Sequence, residues 1–260
     1  MFKYHKFLLE HKFWGKSIPE FLSWLDSKSS KIFVILDSET TGLPSDPHEI
    51  QLTQLSCLVV SYDYKNNSFN EIDSFDKKIK LTKNTLSLMK DKESRISKVL
   101  SFNHYGKKGI EYHNEESVLE EFFEFIGQYN DPILIIQNAE FDMRYLNTRN
   151  PIVRFNNEVL DTKQVLQLFY LPLLQKLAET DKEYFNMINK IGTSDRDSGL
   201  ISSSMSKIGP ALGINMSGYH DALTDCRLTL QMLRKIISFL YDNQNIDIKK
   251  YQSERIKTKK

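Results

Sequence analysis

The chain has 260 residues, of which 40% are hydrophobic and 12% aromatic, so it can bury a full core as one domain with excursions. Its formal net charge of +1 argues against a tight, nonspecific duplex binder, and no apolar run is long enough to span a membrane. Cys57 and Cys226 have no metal-ligand spacing, and the N-terminus lacks a signal peptide's apolar stretch. Reduced core thiols and a cytoplasmic location are therefore expected.

The two ends of the chain are expected to lie outside its central domain. Residues 1–30 form an N-terminal helical extension, in which Ser17-Ile-Pro-Glu20 has the pattern of a capping box and predicts a short helix. Residues 31–242 form the central domain. Residues 243–260 are a polar basic tail, and the stretch from Lys249 onward is expected to be frayed.

The first acidic motif follows an apolar run. Ile32-Phe-Val-Ile-Leu36 is rich in β-branched residues and predicts a strand buried on both faces. Asp37 and Glu39 are two residues apart, so a strand that continues through them points both carboxylates to the same side. Thr40-Thr41-Gly42-Leu43-Pro44 then ends the strand, and Gly42 permits a close backbone approach to a ligand. Taken alone, the motif is more typical of a surface turn that carries two acids.

The second motif follows another apolar run, Ile133-Leu-Ile-Ile136. Asn138 is the expected N-cap of a helix, which places Phe141 and Asp142 in its first turn. Phe141 is expected to pack into the core. Taken alone, Asp142 is typical of an acid that stabilises a helix N-terminus.

The third motif, His220-Asp-Ala-Leu-Thr-Asp225, opens a long amphipathic helix. An apolar stripe at helical spacing predicts this helix from Leu223 to Leu240. Five residues separate His220 from Asp225, so the two cannot share one helix face. We therefore expect His220 on the preceding loop, Asp221 at the N-cap and Asp225 pointing inward from the helix. Taken alone, a histidine such as His220 is more often structural than catalytic.

Together the three motifs resemble those of the DEDDh 3′→5′ exonuclease family, whose members include the proofreading epsilon subunit of bacterial DNA polymerase III. The likeness in order and spacing extends over about residues 31–240. It implies an α/β fold with a ribonuclease H-like mixed β-sheet flanked by helices, in which residues 31–242 are the exonuclease domain. The departures are an added N-terminal helix, Gln137 in place of a histidine found in many relatives, and a helical insertion at residues 163–203 before the third motif. Pro172 is expected to interrupt a helix in that insertion.

The resemblance also implies an activity. Members hydrolyse phosphodiester bonds from the 3′ end of single-stranded nucleic acid and release nucleoside 5′-monophosphates, and we favour DNA over RNA as the substrate. Two Mg²⁺ or Mn²⁺ ions are the implied cofactors, since oxygen ligands suit hard cations. The implied catalytic residues are the metal ligands Asp37, Glu39, Asp142 and Asp225, with His220 as general base. The implied substrate contacts are Thr40, Thr41, Gly42, Leu43, Asn138 and Phe141.

Two other functional classes stay open. One is a nucleic-acid-binding or partner-binding module with an inactive site, which the presence of all five reactive residues disfavours. The other is a ribonuclease H-like endonuclease, which His220 five residues before Asp225 disfavours.

A polymerase or replication protein is a candidate partner, and no membrane is expected. The candidate phosphate-tracking residues, each of which could equally be a solvated surface lysine, are Lys77, Lys78, Lys80, Lys83, Lys107 and Lys108.

Overall fold

The computed structural model describes residues 12–42, 50–66, 68–88, 99–101, 105–149, 157–193 and 200–257, with the backbone alone at 88, 147–149 and 254–257. Leu43 and residues 1–11 of the predicted N-terminal extension lie outside these ranges. Within them, no helix combines the length and the apolar character needed to cross a bilayer.

A five-stranded mixed sheet forms the centre of the molecule. Its strands are β1 (Ile32–Thr40), β2 (Leu52–Asp63), β3 (Ser68–Lys78), β4 (Ile133–Ile136) and β5 (Val159–Asp161), in the order β3-β2-β1-β4-β5. β1 pairs antiparallel with β2 and parallel with β4, and β4 pairs parallel with β5. The predicted ribonuclease H-like mixed sheet is therefore confirmed.

Helices cover both faces of this sheet. They are α1 (Ile18–Asp26), α2 (Lys83–Leu88), α3 (Glu115–Gly127), α4 (Ala139–Arg149), α5 (Thr162–Val165), α6 (Leu171–Leu177), α7 (Lys182–Ile191), α8 (Met205–Ala211), α9 (Ala222–Asp242) and α10 (Lys249–Lys257). A single π-helical turn, Leu166–Tyr170, joins α5 to α6. Both cysteines are buried and free, as expected.

Successive residues of β1 alternate between two apolar clusters, one on each face of the sheet. Phe33 and Ile35 pack in the cluster that includes the buried side of α9, whereas Val34 packs in the cluster of α3 and α4. By the same period of two, Asp37 and Glu39 continue the row that faces α9. The strand therefore turns the first acidic pair toward the helix that carries Asp225.

The predicted N-terminal helix is present and packs on the insertion. Ser17 and Glu20 form the capping box, with Ser17 N donating to Glu20 Oε2 at 2.8 Å and Glu20 N donating to Ser17 Oγ at 3.4 Å. On its buried side, the ring of Phe21 stacks on Phe169 with centroids 4.7 Å apart. The stacking joins α1 to the π-helical turn.

Pro172 does not interrupt the helical insertion as the sequence had indicated. It lies in the first turn of α6, directly after the π-helical turn, and the helical backbone runs on through it. Because proline has no N–H, it cannot donate to the carbonyl of Leu168 four residues earlier. Gln252 Nε2 of α10 supplies that hydrogen bond at 2.7 Å.

The C-terminal stretch also differs from expectation. Residues 249–257 form α10 rather than a frayed segment. The amide of Gln252, only 3% exposed, donates to the Lys16 carbonyl at 3.0 Å as well as to Leu168, and Ile248 is buried beside it. These two hydrogen bonds, of which the one to Leu168 is buried, hold this polar helix against the domain.

Candidate active site

The first acidic motif lies at the carboxyl end of β1. Asp37 pairs in register with Ser56 and Glu39 with Gln54, and the register shifts immediately after Glu39. The shift ends the regular ladder at Thr40, so both carboxylates lie where the strand stops. Thr40 Oγ1 donates to the Gly42 carbonyl at 2.8 Å and closes the turn that follows.

Asp142 enters the site from the first turn of α4. It is 2% exposed, and Ser38 Oγ donates to its Oδ1 at 2.6 Å. Phe141 beside it is half-buried and packs against Tyr145, with ring centroids 5.1 Å apart. The first two motifs are therefore joined by a direct hydrogen bond from the strand to the helix.

Asn138 precedes α4, but the N-cap prediction is wrong. Its φ is +67°, in the left-handed region rather than the extended region typical of an N-cap. Its side-chain oxygen accepts a hydrogen bond from Lys163 Nζ at 2.8 Å, and its backbone N–H donates to Asp161 Oδ1 at 3.1 Å. Asn138 thus ties the start of α4 to the end of β5.

The third motif has the predicted arrangement. Asp221 is the N-cap of α9 and accepts from Thr224 N at 3.2 Å. His220 lies on the loop before it, with φ +72°, and its backbone N–H donates to Asp225 Oδ2 at 3.2 Å. The ring of His220 lies 4.0 Å from that of Tyr219. Asp225 therefore points back from the first turn of the helix toward the histidine loop.

The acidic residues hold their protons more tightly than ordinary carboxylic acids. Burial, followed by the carboxylates of Asp142, Glu39 and Asp225, raises the pKa of Asp37 well above its usual range. Burial and Asp225 raise the pKa of Glu39 to about 8. Burial also raises the pKa of Asp142 and of Asp225 to about 7, although hydrogen bonds from Ser38 and from His220 N oppose the shift. Such a cluster retains part of its protons near neutral pH when no cation is bound.

The predicted reactive residues line one cavity of about 560 Å³. The residues that line it from the predicted site are Asp37, Glu39, Asn138, Phe141, Asp142, His220 and Asp225. Thr40, the last residue of β1, and Thr41 and Gly42 in the turn after it do not line the cavity. Their assignment as substrate contacts stays a prediction.

Further residues line this cavity that were not among the site residues predicted from the sequence. They are Ser38, Gln137, Lys163, Thr193, Ser202, Ser203, Ser204, Met205, Lys207 and Tyr219. Lys163 follows Asp161-Thr162 at a strand end, which is the one local signal that could have indicated it. Ser203 and Lys207 reach the cavity only through the tertiary fold.

The predicted phosphate-tracking lysines are not at the cavity. Lys77 pairs with Glu121 at 3.2 Å, and Lys78 pairs with Asp221. None of the six lysines proposed from the sequence is among the residues that line the cavity in the part of the chain described. Cations on the cavity wall come instead from Lys163 and Lys207.

The donor set fits a divalent cation. Glu39, His220 and Asp225 each offer a ligand atom, and these atoms all lie within 4.8 Å of one another. Asp225 Oδ1 is buried and, among the described residues, has no hydrogen-bond partner. A buried carboxylate oxygen without a donor is destabilising by itself and is the kind of group that a hard cation satisfies.

The fold is similar to those of solved nucleases. Escherichia coli exonuclease I in complex with a dA16 oligonucleotide gives a TM-score of 0.56 with 17% identity over 83% of this chain and 44% of that chain. A zinc-bound complex of the same enzyme with single-stranded DNA gives 0.57 and 16% over 82% and 42%. The nuclease domain of 3′hExo, a DEDDh family member bound to rAMP, gives 0.52 and 13% over 84% and 96%. This chain thus spans less than half the length of exonuclease I.

The comparison of sequences gives the family. A search of curated proteins found no match. Residues 26–204, more than half of the chain, match the model of the exonuclease domain of DNA polymerase family B. That range contains the first two acidic motifs and the whole sheet. The chain therefore belongs to the DNA polymerase family B exonuclease-domain family.

Proposed function

We propose that the chain is a divalent-metal-dependent 3′→5′ exonuclease that removes nucleoside 5′-monophosphates from single-stranded nucleic acid, with DNA favoured over RNA. The observation that carries the proposal is the meeting of four carboxylates from β1, α4 and α9 with His220 on one cavity. Buried carboxylates this close together repel one another, and a bound cation would offset that repulsion.

Two Mg²⁺ or Mn²⁺ ions are the proposed cofactors, with Asp37, Glu39, Asp142 and Asp225 as their ligands. When bound, the ions would supply Lewis-acid stabilisation of the charge that develops at the scissile phosphate. The chain's own contribution is to fix the ligands. Ser38 orients Asp142 through a 2.6 Å hydrogen bond, and His220 N orients Asp225 through one of 3.2 Å.

His220 is the proposed general base. It would accept a proton from the attacking water, and the departing 3′ oxygen would take its proton from solvent. An imidazole changes charge near neutral pH, which suits this task. The loop geometry supports the assignment, because the left-handed backbone at His220 turns the residue over the carboxylates instead of along α9. Its distance from Glu39 and Asp225 would also allow a ligand role, which metal affinity can distinguish.

Single-stranded substrate is proposed because exonuclease I, whose fold is similar, has been solved with bound oligonucleotides. DNA is favoured on the same ground, although 3′hExo was solved with a ribonucleotide. A polymerase or another replication protein is the proposed partner. Discrimination of the 2′-hydroxyl depends on the shape of the pocket around the terminal sugar.

A comparison of linear and circular strands tests the proposal. Linear single-stranded DNA with Mn²⁺ should shorten from the 3′ end, and a covalently closed circle of the same sequence should persist. The matched RNA strand should be degraded more slowly. Cleavage of the circle would support an endonuclease instead. If the folded protein binds Mn²⁺ but cleaves neither the linear nor the circular strand, the result would support the inactive binding module.

A further inference from the structure

Two lysines line the same cavity as the carboxylate cluster without forming an ion pair with it. Lys163 at the start of α5 and Lys207 in α8 both line the cavity. Lys163 Nζ donates to Asn138 Oδ1, a neutral acceptor, at 2.8 Å. Over the described ranges, neither ammonium forms an ion pair with a carboxylate. Each is therefore available to an anion that enters the cavity.

Ser203, which lies between Lys163 and Lys207 in the sequence, adds a buried hydroxyl donor to the cavity lining. It is 8% exposed, and its hydroxyl accepts a hydrogen bond from Gln167 Nε2 at 2.9 Å. A hydroxyl that accepts still has its own proton to donate. Among the described residues, the Ser203 hydroxyl donates to none. A buried donor that lines a cavity without an acceptor indicates a ligand that brings one.

Gln137, directly before the second motif, fixes the part of the cavity lining that contains Ser203. Gln137 Nε2 donates to the Ser203 carbonyl at 3.3 Å, and Gln137 Oε1 accepts from Thr162 Oγ1. Gln137 thus joins the end of β4 to the loop before α8. Because Gln137 and Gln167 both bond to Ser203, the serine is fixed before any substrate arrives.

We propose that Lys163, Ser203 and Lys207 form a subsite for the phosphodiester that precedes the scissile one in the substrate strand. The inference rests on the proposed function, which assigns the scissile phosphate to the carboxylates. The three side chains offer donors to an anion and no negative charge, as phosphate recognition requires. The cavity volume of about 560 Å³ falls in the usual range for ligand pockets.

The test compares two substrates that differ in this phosphate. A single-stranded oligonucleotide carries it, whereas the p-nitrophenyl ester of thymidine 5′-monophosphate has a scissile ester but no preceding phosphodiester. Lys207→Met should raise the KM for the oligonucleotide about tenfold, as expected for loss of one charge-assisted hydrogen bond. It should also reduce the slope of log KM against log salt by about 0.7, the value for one single-strand phosphate contact. The KM for the ester should change less than the KM for the oligonucleotide.

Matched variants separate the subsite from general effects of charge. Lys235→Met removes an exposed lysine of α9 that does not line the cavity, and its KM should match the wild type. Lys207→Arg should retain most of the affinity, and Ser203→Ala should raise the oligonucleotide KM without changing the salt slope, because the serine is uncharged.

The outcomes distinguish this inference from the proposed function. If the wild type hydrolyses the oligonucleotide and Lys207→Met and Lys163→Met both keep its KM and salt slope, the subsite is wrong and the exonuclease stands. Equal losses on both substrates would assign the lysines to the scissile phosphate and also overturn the subsite. If the folded wild type with Mn²⁺ hydrolyses neither substrate, the proposed function itself fails.

Discussion

Lys78 Nζ lies 2.7 Å from Asp221 Oδ2, so a strand on the far side of β2 is bonded to the residue that caps α9. Lys78 also donates to Gln54 Oε1 at 2.5 Å, which in turn accepts from Ala222 N at 3.1 Å. In the sheet, Gln54 pairs with Lys78 on one side and with Glu39 on the other. One row of the sheet thus positions the helix that carries Asp225 over the acidic pair of β1.

Lys78→Met should therefore weaken both the fold and the activity. Lys78 is 13% exposed and Asp221 29%, so loss of the pair leaves a partly buried carboxylate without its cation. We expect unfolding free energy to fall by about 1–2 kcal/mol and kcat to fall because Asp225 is displaced. Lys77→Met is the control, since Lys77 pairs with the more exposed Glu121 and should cost about 0.5 kcal/mol or less. Equal urea midpoints and equal kcat for the two variants would remove the positioning role.

The stability of the metal-free protein should fall as pH rises. Burial and Asp225 raise the pKa of Glu39 from 4.5 to about 8 in the folded chain, so the folded state binds a proton that the unfolded state has released. This contribution is present below about pH 4.5 and is lost as pH rises toward about 8. Urea midpoints in EDTA should thus decline across that window, and less so for Glu39→Gln. Equal declines for the two proteins would contradict the raised pKa.

Gln252 should stabilise the chain without affecting catalysis. Gln252→Leu leaves the carbonyls of Leu168 and Lys16 without their donor, and the buried Leu168 carbonyl without a partner costs about 1–3 kcal/mol. Thermal unfolding should therefore occur at a lower temperature, while kcat at a permissive temperature stays at the wild-type value. Ser253→Ala is the control, because Ser253 is exposed and its hydroxyl donates to Lys250 O within α10. A melting temperature equal to that of the control would show that α10 is not held by this amide.

His220→Asn should lower kcat by about 10²–10⁴, the range for loss of a general base. The affinity for Mn²⁺ should stay near that of the wild type if His220 is a base and not a ligand. Isothermal calorimetry on the folded variant measures this directly. A large loss of Mn²⁺ affinity would instead make His220 a third ligand with Glu39 and Asp225, which the 4.8 Å spacing of their ligand atoms permits.

Local patterns were sufficient where neighbouring residues decide the structure. The apolar run before Asp37 predicted β1, and the period of two predicted that Asp37 and Glu39 face the same way. The apolar stripe predicted α9, and Asp221 is its N-cap as expected. In these elements the hydrophobic pattern and the cap agree with the tertiary fold.

Long-range contacts explain what the sequence could not indicate. α10 is polar, and it docks because Gln252 supplies a donor that Pro172 cannot give to Leu168. Asn138 adopts a left-handed backbone and bonds to Lys163, which follows it by 25 residues. The cavity wall around Ser203 exists only because the chain returns from the insertion to the end of β4. No periodicity or cap encodes such pairings.

The most direct test of the central claim is a product assay on single-stranded DNA labelled at its 5′ end. With Mn²⁺, we expect a ladder that shortens from the 3′ end, with nucleoside 5′-monophosphates as the released product. Excess EDTA should abolish it, and so should Asp37→Asn, whose purified protein should still fold. Full activity in excess EDTA, or wild-type turnover by Asp37→Asn, would contradict the metal-dependent site proposed for this chain.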